Sequence, residues 1–258
     1  MIEEPYRWVE AIANRREYIE AQLAPGSPIA ALGYRDGILF FTISQTRQKI
    51  FEIYDRIAMG AIGHPGDIER LRLAAIELAS TEGFTRSAAD VSLRRLAHYS
   101  LSPVMKNAFE QVYGAPFLAR LIFAEIGSSP KEDLFLGIDC DGSIAADGPS
   151  PQPRQRFAVL SATKASAELM EKFLQQNHAT DAALSDAISL AADAWTVGRM
   201  AIGGTGIKDL PDREAIRKYR DEQLGNFSIE AAVLERDIRS AIRYRSLSDE
   251  ELHSKLQK

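Results

Sequence analysis

The fold of this chain is decided by residues 26–55, which read GSPIAALGYRDGILFFTISQTRQKIFEIYD. Two apolar runs flank the pair Asp36-Gly37, and Asp-Gly between such runs is a strong hairpin signal because both residues tolerate a positive φ. Residues 49–53 then alternate polar and apolar side chains, which predicts a half-buried strand, and the apolar run 57–62 predicts a buried one. The stretch and the residues just after it therefore predict a meander of four strands.

The rest of the chain alternates between helix-like and strand-like patterns. Helical patterns occupy residues 6–23, 67–83, 87–112, 164–176, 181–200 and 209–224, and Ser248 with Glu251 forms a capping-box start for a last short helix. Strand-like runs occupy residues 117–126, 134–139, 157–160, 227–233 and 241–244. Pro103 predicts a kink in the second long helix. This order predicts an α+β fold, because two antiparallel sheets packed face to face and covered outside by helix pairs bury every apolar face.

Residues 49–91 read KIFEIYDRIAMGAIGHPGDIERLRLAAIELASTEGFTRSAADV. Together with the Gly26-Ser27 pair that opens the first strand, the Asp-Gly turn and the strand that ends at Gly63, this segment resembles the proteasome core-particle family. The likeness is closest to the bacterial α subunits of that family, and in diluted form it covers most of the chain. The resemblance implies the N-terminal-nucleophile hydrolase fold, a four-layer α-β-β-α sandwich of two antiparallel sheets, which agrees with the order of the elements.

We expect the chain to divide into three regions. Residues 1–25 form an N-terminal gate and assembly helix, residues 26–247 form the sandwich domain, and residues 248–258 form a C-terminal helix and tail. The resemblance implies that the first helix packs against neighbouring subunits of a ring. The alternative is a helix folded onto the sheet of its own chain.

The resemblance also implies a gate at the N-terminus. The residues expected to form it are Glu3, Glu4, Pro5 and Tyr6. Only Tyr6-Arg7 stands where archaeal and eukaryotic α subunits carry a Tyr-Asp-Arg triple, and the segment before the helix is short. The gate therefore differs in detail from that of those subunits.

The position of the nucleophile in catalytic members of the family falls on Ser27. In such members, self-cleavage after a glycine exposes a threonine whose hydroxyl attacks the peptide carbonyl and whose free amine serves as the base. Here Pro28 follows Ser27, and the position of the acidic residue falls on or beside Ile43, where no carboxylate is found. Lys49 matches the lysine of the third strand but lacks that carboxylate partner. We therefore expect no catalytic residue in this chain.

Lys49 has a different role in α subunits of the resembled family. A lysine at this place binds the C-terminal carboxylate of a regulatory ATPase, in a pocket between adjacent subunits. The resemblance assigns Gly26, Gly63 and His64 to the same pocket. A cationic donor beside glycine backbone is chemically suited to a terminal carboxylate. The alternative is a strand lysine that is merely exposed.

Composition excludes several classes of function. The formal net charge is -5 and the 31 basic residues are spread through the chain, so no nucleic-acid footprint is predicted. The single cysteine fits a reducing compartment, and four histidines far apart in the sequence predict neither a metal site nor a cofactor. The N-terminus lacks the pattern of a signal peptide and no apolar run reaches the ~20 residues of a membrane span. We therefore expect a cytoplasmic protein.

The function expected from these residues is that of a non-catalytic α-type proteasome subunit. Such a subunit forms a homo-oligomeric ring, expected to be a heptamer, that admits unfolded protein, docks a regulatory ATPase ring and supports β-type subunits with the peptidase site. Two alternatives stay open. One is a self-processing N-terminal-nucleophile peptidase or amidohydrolase that uses Ser27, and the other is an α-like scaffold that assembles without a peptidase partner.

Overall fold

The computed structural model describes residues 5–44, 48–111, 113–146, 155–203, 209–224, 227–238 and 240–256. These residues form two five-stranded antiparallel sheets, with strand orders β10-β9-β2-β1-β8 and β3-β4-β5-β6-β7. The strands are β1 (Ile29–Tyr34), β2 (Gly37–Ser44), β3 (Ile50–Tyr54), β4 (Ile57–Gly63), β5 (Ala119–Glu125), β6 (Leu134–Ile138), β7 (Ile144–Ala146), β8 (Phe157–Leu160), β9 (Ser228–Glu235) and β10 (Tyr244–Ser246).

Helices lie before, between and after these strands. They are α1 (Pro5–Leu23), α2 (Pro65–Thr85), α3 (Leu93–Leu96), α4 (Ser102–Glu110), α5 (Lys164–Asn177), α6 (Leu184–Gly203), α7 (Arg213–Leu224) and α8 (Asp249–Leu256). A 3-10 turn (Ala88–Asp90) precedes α3, and a π-helical turn (Ala97–Leu101) joins α3 to α4.

Buried apolar side chains separate four layers. Phe40 and Ile122, from different sheets, belong to one cluster between the sheets. On the outer face of the first sheet, Phe41 shares a cluster with Trp195 of α6, and a third cluster joins the second sheet to α2, α3 and α4. Each such side chain stabilises the fold by about 1.5–3 kcal/mol when fully buried. The predicted α-β-β-α sandwich is therefore confirmed.

The hairpin at the start of the sandwich is confirmed, but its glycine acts differently from the prediction. Tyr34 pairs with Gly37 across the turn. Among the described residues a positive φ occurs only at Gly63 and Gly142, so Gly37 does not use the left-handed conformation. A Cβ at position 37 would instead collide with the carbonyl oxygen of Leu234 on β9. Glycine is needed here for close contact between β2 and β9.

The prediction of one long helix over residues 87–112 is wrong, and of the kink or break expected at Pro103 the structure has a break just before it. Ser87 caps only the 3-10 turn, Ser92 caps α3, and the π-helical turn separates α3 from α4. Pro103 lies in the first turn of α4, where it has no N–H to donate and its ring excludes the carbonyl four residues earlier. The hydrogen-bond ladder widens into a π turn just before this proline, which is a known way to accommodate such a break.

Three smaller predictions meet different outcomes. The helix after β4 begins at Pro65, and it buries Ala79 rather than Leu78, which is 38% exposed. The closing strand is β10 and not residues 241–244. The capping box before α8 is confirmed, because Glu251 N donates to Ser248 Oγ at 3.3 Å and Ser248 N donates to Glu251 Oε2 at 3.1 Å.

The first helix packs onto its own sandwich mainly through its C-terminal half, with Ile12 packed at the edge of the same contact. Ile19 and Leu23 are buried in a cluster with α4 and the β6–β7 turn, and Glu20 forms a 2.8 Å ion pair with Arg120 of β5. Val9, in the other half, is 67% exposed. The helix is therefore anchored to its own chain at one end and presents apolar surface at the other.

Candidate functional site

Lys49 lies immediately before β3, where its backbone ties the two sheets together. Its N–H donates to both carboxylate oxygens of Glu230, at 3.0 and 2.9 Å, and the N–H of Ile50 donates to the same carboxylate at 2.9 Å. Glu230 is on β9 of the other sheet, in register with Thr42. This arrangement fixes the start of β3, and with it Lys49, at the end of the sandwich.

The side chain of Lys49 has few partners. Its Nζ donates to the carbonyl oxygen of Ser27 at 3.4 Å, which is a long hydrogen bond. Burial lowers the pKa of Lys49 to about 8; the charge of Glu230 opposes this shift and the charge of Arg199 reinforces it. Burial raises the pKa of Glu230, against the effect of the two N–H donors and of Lys49 itself. The ammonium group is therefore costly to keep charged and is only weakly compensated within the chain.

Two cavities meet at Lys49. The first, called the apolar cavity below, has a volume of about 330 Å³ and is lined by Gly26, Gln48, Lys49, Phe51, Ala61, Ile62, Gly63, Pro65, Ile68 and Glu69. The second, the cationic cavity, has a volume of about 280 Å³ and is lined by Pro25, Ser27, Ile43, Ser44, Lys49, Gly63, Pro65, Trp195, Arg199 and Phe227. Lys49 and Gly63 line both of them. The structure thus brings together three of the residues singled out in the sequence, Gly26, Lys49 and Gly63.

Gly63 ends β4 in a conformation that other residues rarely adopt. Its φ is +141°, and a Cβ there would collide with the carbonyl oxygen of Leu118. Any side chain at this position would therefore strain the backbone and crowd the junction of the two cavities. Gly63 keeps bare backbone on the wall beside Lys49.

His64 is not part of either lining. It is exposed, and its Nδ1 accepts a hydrogen bond from the N–H of Gly66 at 3.2 Å, so the ring caps the N-terminus of α2. The lining skips from Gly63 to Pro65. In this single chain His64 acts on the helix and not on the cavities.

Ser27 has its hydroxyl committed to two hydrogen bonds. Its Oγ donates to the carbonyl oxygen of Ile43 at 2.5 Å and accepts from Nε1 of Trp195 at 2.9 Å. Ser27 is half-buried and lines the cationic cavity. Its hydroxyl holds the indole of a buried core residue in place.

Sequence reasoning missed Glu230, a carboxylate on β9 that binds the backbone N–H groups of Lys49 and Ile50. It does not form an ion pair with the ammonium group of Lys49, so it is not the carboxylate that catalytic members of the family place on the second strand. The available signal was a single charged residue inside the otherwise apolar run of residues 227–234. Because both oxygens accept backbone N–H bonds, Glu230 acts first as a clamp on β3.

The expected gate residues lie at the edge of the described chain. Glu3 and Glu4 lie outside the described residues, and Pro5 and Tyr6 are the first two residues of α1. In the described ranges no group of His, Cys, Asp and Glu could hold a metal ion, and no helix there is long and apolar enough to cross a membrane.

Comparison with known proteins gives consistent matches. A family model described as proteasome subunit matches residues 40–195. A proteasome subunit alpha of Nocardioides sp. is 30% identical over 206 residues, which cover 79% of this chain and 72% of that protein. Proteasome alpha subunits of Frankia casuarinae and Streptomyces scabiei are 31% and 32% identical, over 73% and 72% of this chain and 75% and 71% of theirs. This chain therefore belongs to the proteasome subunit family, and its curated relatives mark it as an alpha-type subunit.

Proposed function

We propose that the chain is a non-catalytic α subunit of a bacterial proteasome core particle. In that role it forms the outer heptameric ring, gates the admission of unfolded protein and supports β-type subunits that carry the peptidase site. The observation that carries this proposal is the state of Ser27, whose hydroxyl donates to Ile43 O and accepts from Trp195 Nε1. The position equivalent to the nucleophile is used for packing.

Ring assembly is supported by α1. The buried anchors Ile19 and Leu23 hold the helix on its own sandwich, while Trp8 and Val9 remain 40% and 67% exposed. Exposed apolar side chains at one end of an anchored helix suit contact with a neighbouring copy. The gate is proposed at Glu3, Glu4, Pro5 and Tyr6, the residues that the family resemblance assigns to it.

Docking of a regulatory ATPase is proposed at Lys49. A C-terminal carboxylate would bind the ammonium group, and the last side chain of the tail would enter the apolar cavity beside Phe51, Ile62 and Ile68. The ammonium is suited to this because its only hydrogen bond within the described chain is the 3.4 Å contact with Ser27 O. A terminal carboxylate would restore the charge compensation that burial has removed.

The assembly is tested by coexpressing the chain with a β-type proteasome subunit from the same genome and weighing the purified complex. We expect a particle that contains both chains and hydrolyses peptides, with this chain at its full intact mass. Loss of residues 1–26 would expose Ser27 and favour the self-processing hydrolase instead. A ring of this chain alone, even with the β-type subunit present, would favour the scaffold.

A further inference from the structure

A second group of cations lies at the end of the sandwich opposite Lys49. Lys49 precedes β3 and Arg56 lies in the turn after it, so the two are separated by the length of β3, about 17 Å of extended chain, and by Asp55. There a cavity of about 220 Å³ is lined by Arg56, Ile126, Gly127, Ser128, Arg236, Asp237 and Arg243. We call it the arginine cavity. Three guanidinium groups and one carboxylate give its lining a net charge of +2.

The two guanidinium groups nearest the core share one carboxylate. Arg236 donates to both oxygens of Asp133, at 3.0 and 2.9 Å, and Arg156 donates to the same carboxylate at 2.9 Å. The side chain of Asp133 is fully buried, and those of Arg156 and Arg236 are each 9% exposed. The buried trio therefore carries one excess positive charge. The Nε–H groups of Arg156 and Arg236 are buried without an acceptor, and Arg236 lines the cavity.

Arg243 is less well compensated than Arg56. Its guanidinium donates to the carbonyl oxygen of Arg236, and among the described residues no carboxylate lies within ion-pair distance of it. Arg56 has Glu125 at 3.3 Å and the carbonyl of Val91 at 3.1 Å, and both contacts use the same nitrogen, Nη2. Arg56 and Arg243 thus each keep at least one N–H without an acceptor in the part of the chain described, whereas the unpaired Nε–H of Arg236 is buried.

The frame of the cavity is held by backbone hydrogen bonds between three loops. Ile126 N donates to Arg56 O at 3.0 Å, Arg243 N donates to Asp55 O at 2.8 Å, and Glu235 N donates to Arg243 O at 2.9 Å. These bonds join the β3–β4 turn, the loop after β5 and the segment between β9 and β10. The arginines are therefore attached to a rigid frame, so a ligand need not order these loops when it binds.

We propose that the arginine cavity binds a phosphate group. The volume corresponds to about seven water molecules at ~30 Å³ each, which leaves room for one tetrahedral oxyanion and its remaining water. Guanidinium N–H groups match phosphate oxygens in geometry and charge. With the paired Glu125, Asp133 and Arg156 included, the cavity and its partners keep a net charge of +1, which favours an anion. The phosphate could come from inorganic phosphate or from the monoester of a small metabolite.

The test is calorimetric titration of the purified full-length chain with inorganic phosphate and, separately, with AMP as a phosphomonoester probe. We expect one of the two to bind with saturation at constant ionic strength, and the tighter of them identifies the source of the phosphate. Sodium chloride at the same ionic strength is the control. Failure of both probes to bind more tightly than chloride would overturn the proposal.

The residue-level test is Arg243→Gln, which keeps a polar side chain but removes the charge outside the buried trio. We expect phosphate affinity to fall about ten- to a hundredfold, because a charge-assisted hydrogen bond is lost. Arg213→Gln, at the exposed start of α7, removes the same charge on a helix that contributes no residue to the lining, and it is expected to bind phosphate like the wild type.

Arg243→Lys covers the case in which Arg243→Gln folds poorly, since it keeps the charge and is expected to retain part of the affinity. If Arg243→Gln bound phosphate as tightly as the wild type, phosphate would bind elsewhere and the proposed site would be refuted. Because Lys49 and assembly are not involved, these titrations can fail while the proposed function stands, and the reverse also holds.

Discussion

Replacing Lys49 by alanine is the sharpest test of the docking site. The probe is a fluorescent ten-residue peptide with an apolar last residue, leucine, made once with a free C-terminal carboxylate and once as the amide. Binding to the assembled ring is measured by fluorescence anisotropy at pH 7. We expect the wild-type ring to bind the acid more tightly than the amide, because only the acid can pair with the ammonium of Lys49.

The size of the effect follows from the surroundings of Lys49. A charge-assisted hydrogen bond contributes roughly 1.5–3 kcal/mol to binding, so Lys49→Ala is expected to lower the affinity of the ring for the acid peptide by about ten- to a hundredfold. The amide peptide changes little. Burial lowers the pKa of Lys49 to about 8, so at pH 7 most of the free ring already carries the charge. Above pH 8 the neutral form prevails, and the affinity for the acid peptide is expected to fall about tenfold per pH unit.

Matched variants separate docking from other roles of the lysine. Lys164→Ala removes a lysine that is 90% exposed on α5 and is expected to bind both peptides like the wild type. Lys49→Arg keeps the charge, but the planar guanidinium needs more room, so partial recovery is expected. Equal affinity of Lys49→Ala and wild type for the acid peptide would refute the docking role. Loss of small-peptide hydrolysis by the whole particle would instead indicate a catalytic lysine.

Three further predictions follow from the same contacts. Ser27→Ala is expected to leave peptide hydrolysis by the particle unchanged, and a covalent adduct of an epoxyketone on Ser27 would contradict this. The same variant lowers the free energy of unfolding by about 1–3 kcal/mol, because Nε1 of Trp195 loses its acceptor; denaturant titration measures this loss. Removing residues 1–14 is expected to impair ring assembly without unfolding the sandwich. Removing residues 1–24 also removes the buried Ile19 and Leu23 and is expected to lower the melting temperature. A full-length monomer in light scattering at micromolar concentration would contradict the ring. Lys49→Met is more stable than the wild type below pH 8, where the folded state bears the full cost of the buried charge, and the difference shrinks as pH rises towards 10.5; an advantage that is constant with pH would contradict this assignment.

Local patterns in the sequence predict most of the sandwich. The four-strand meander and β8 were placed within about one residue, because alternation of side chains and Gly or Pro at turns are local properties. The break between α3 and α4 was not predicted in its true form. Pro103 indicated a disturbance, but the compensating π turn depends on how Leu96 and Leu101 pack against the second sheet.

Contacts between distant parts of the chain could not be predicted. The Glu230 clamp joins residues 180 and 181 positions apart, and the Asp133–Arg236 pair spans 103 positions. Neither pair is encoded by periodicity or spacing, since the register between β2 and β9 decides where Glu230 points. The carboxylate that the fold brings to Lys49 comes from β9, and it binds backbone N–H groups and not the ammonium group.

The Glu230 clamp also shows how Lys49 can be held at the end of the sandwich without the carboxylate partner of a catalytic lysine. Both oxygens of Glu230 are occupied by the N–H groups of Lys49 and Ile50, so this carboxylate holds the backbone of β3 and leaves the ammonium group without a close ion pair. A nucleophilic Ser27 would have to give its hydroxyl proton to a base, but this proton is donated to the carbonyl oxygen of Ile43. The backbone of Lys49 is fixed by the clamp, while its ammonium group has only the 3.4 Å contact with Ser27 O. A buried ammonium group on a fixed backbone and without an ion pair suits an incoming carboxylate, which supports the docking role proposed for Lys49.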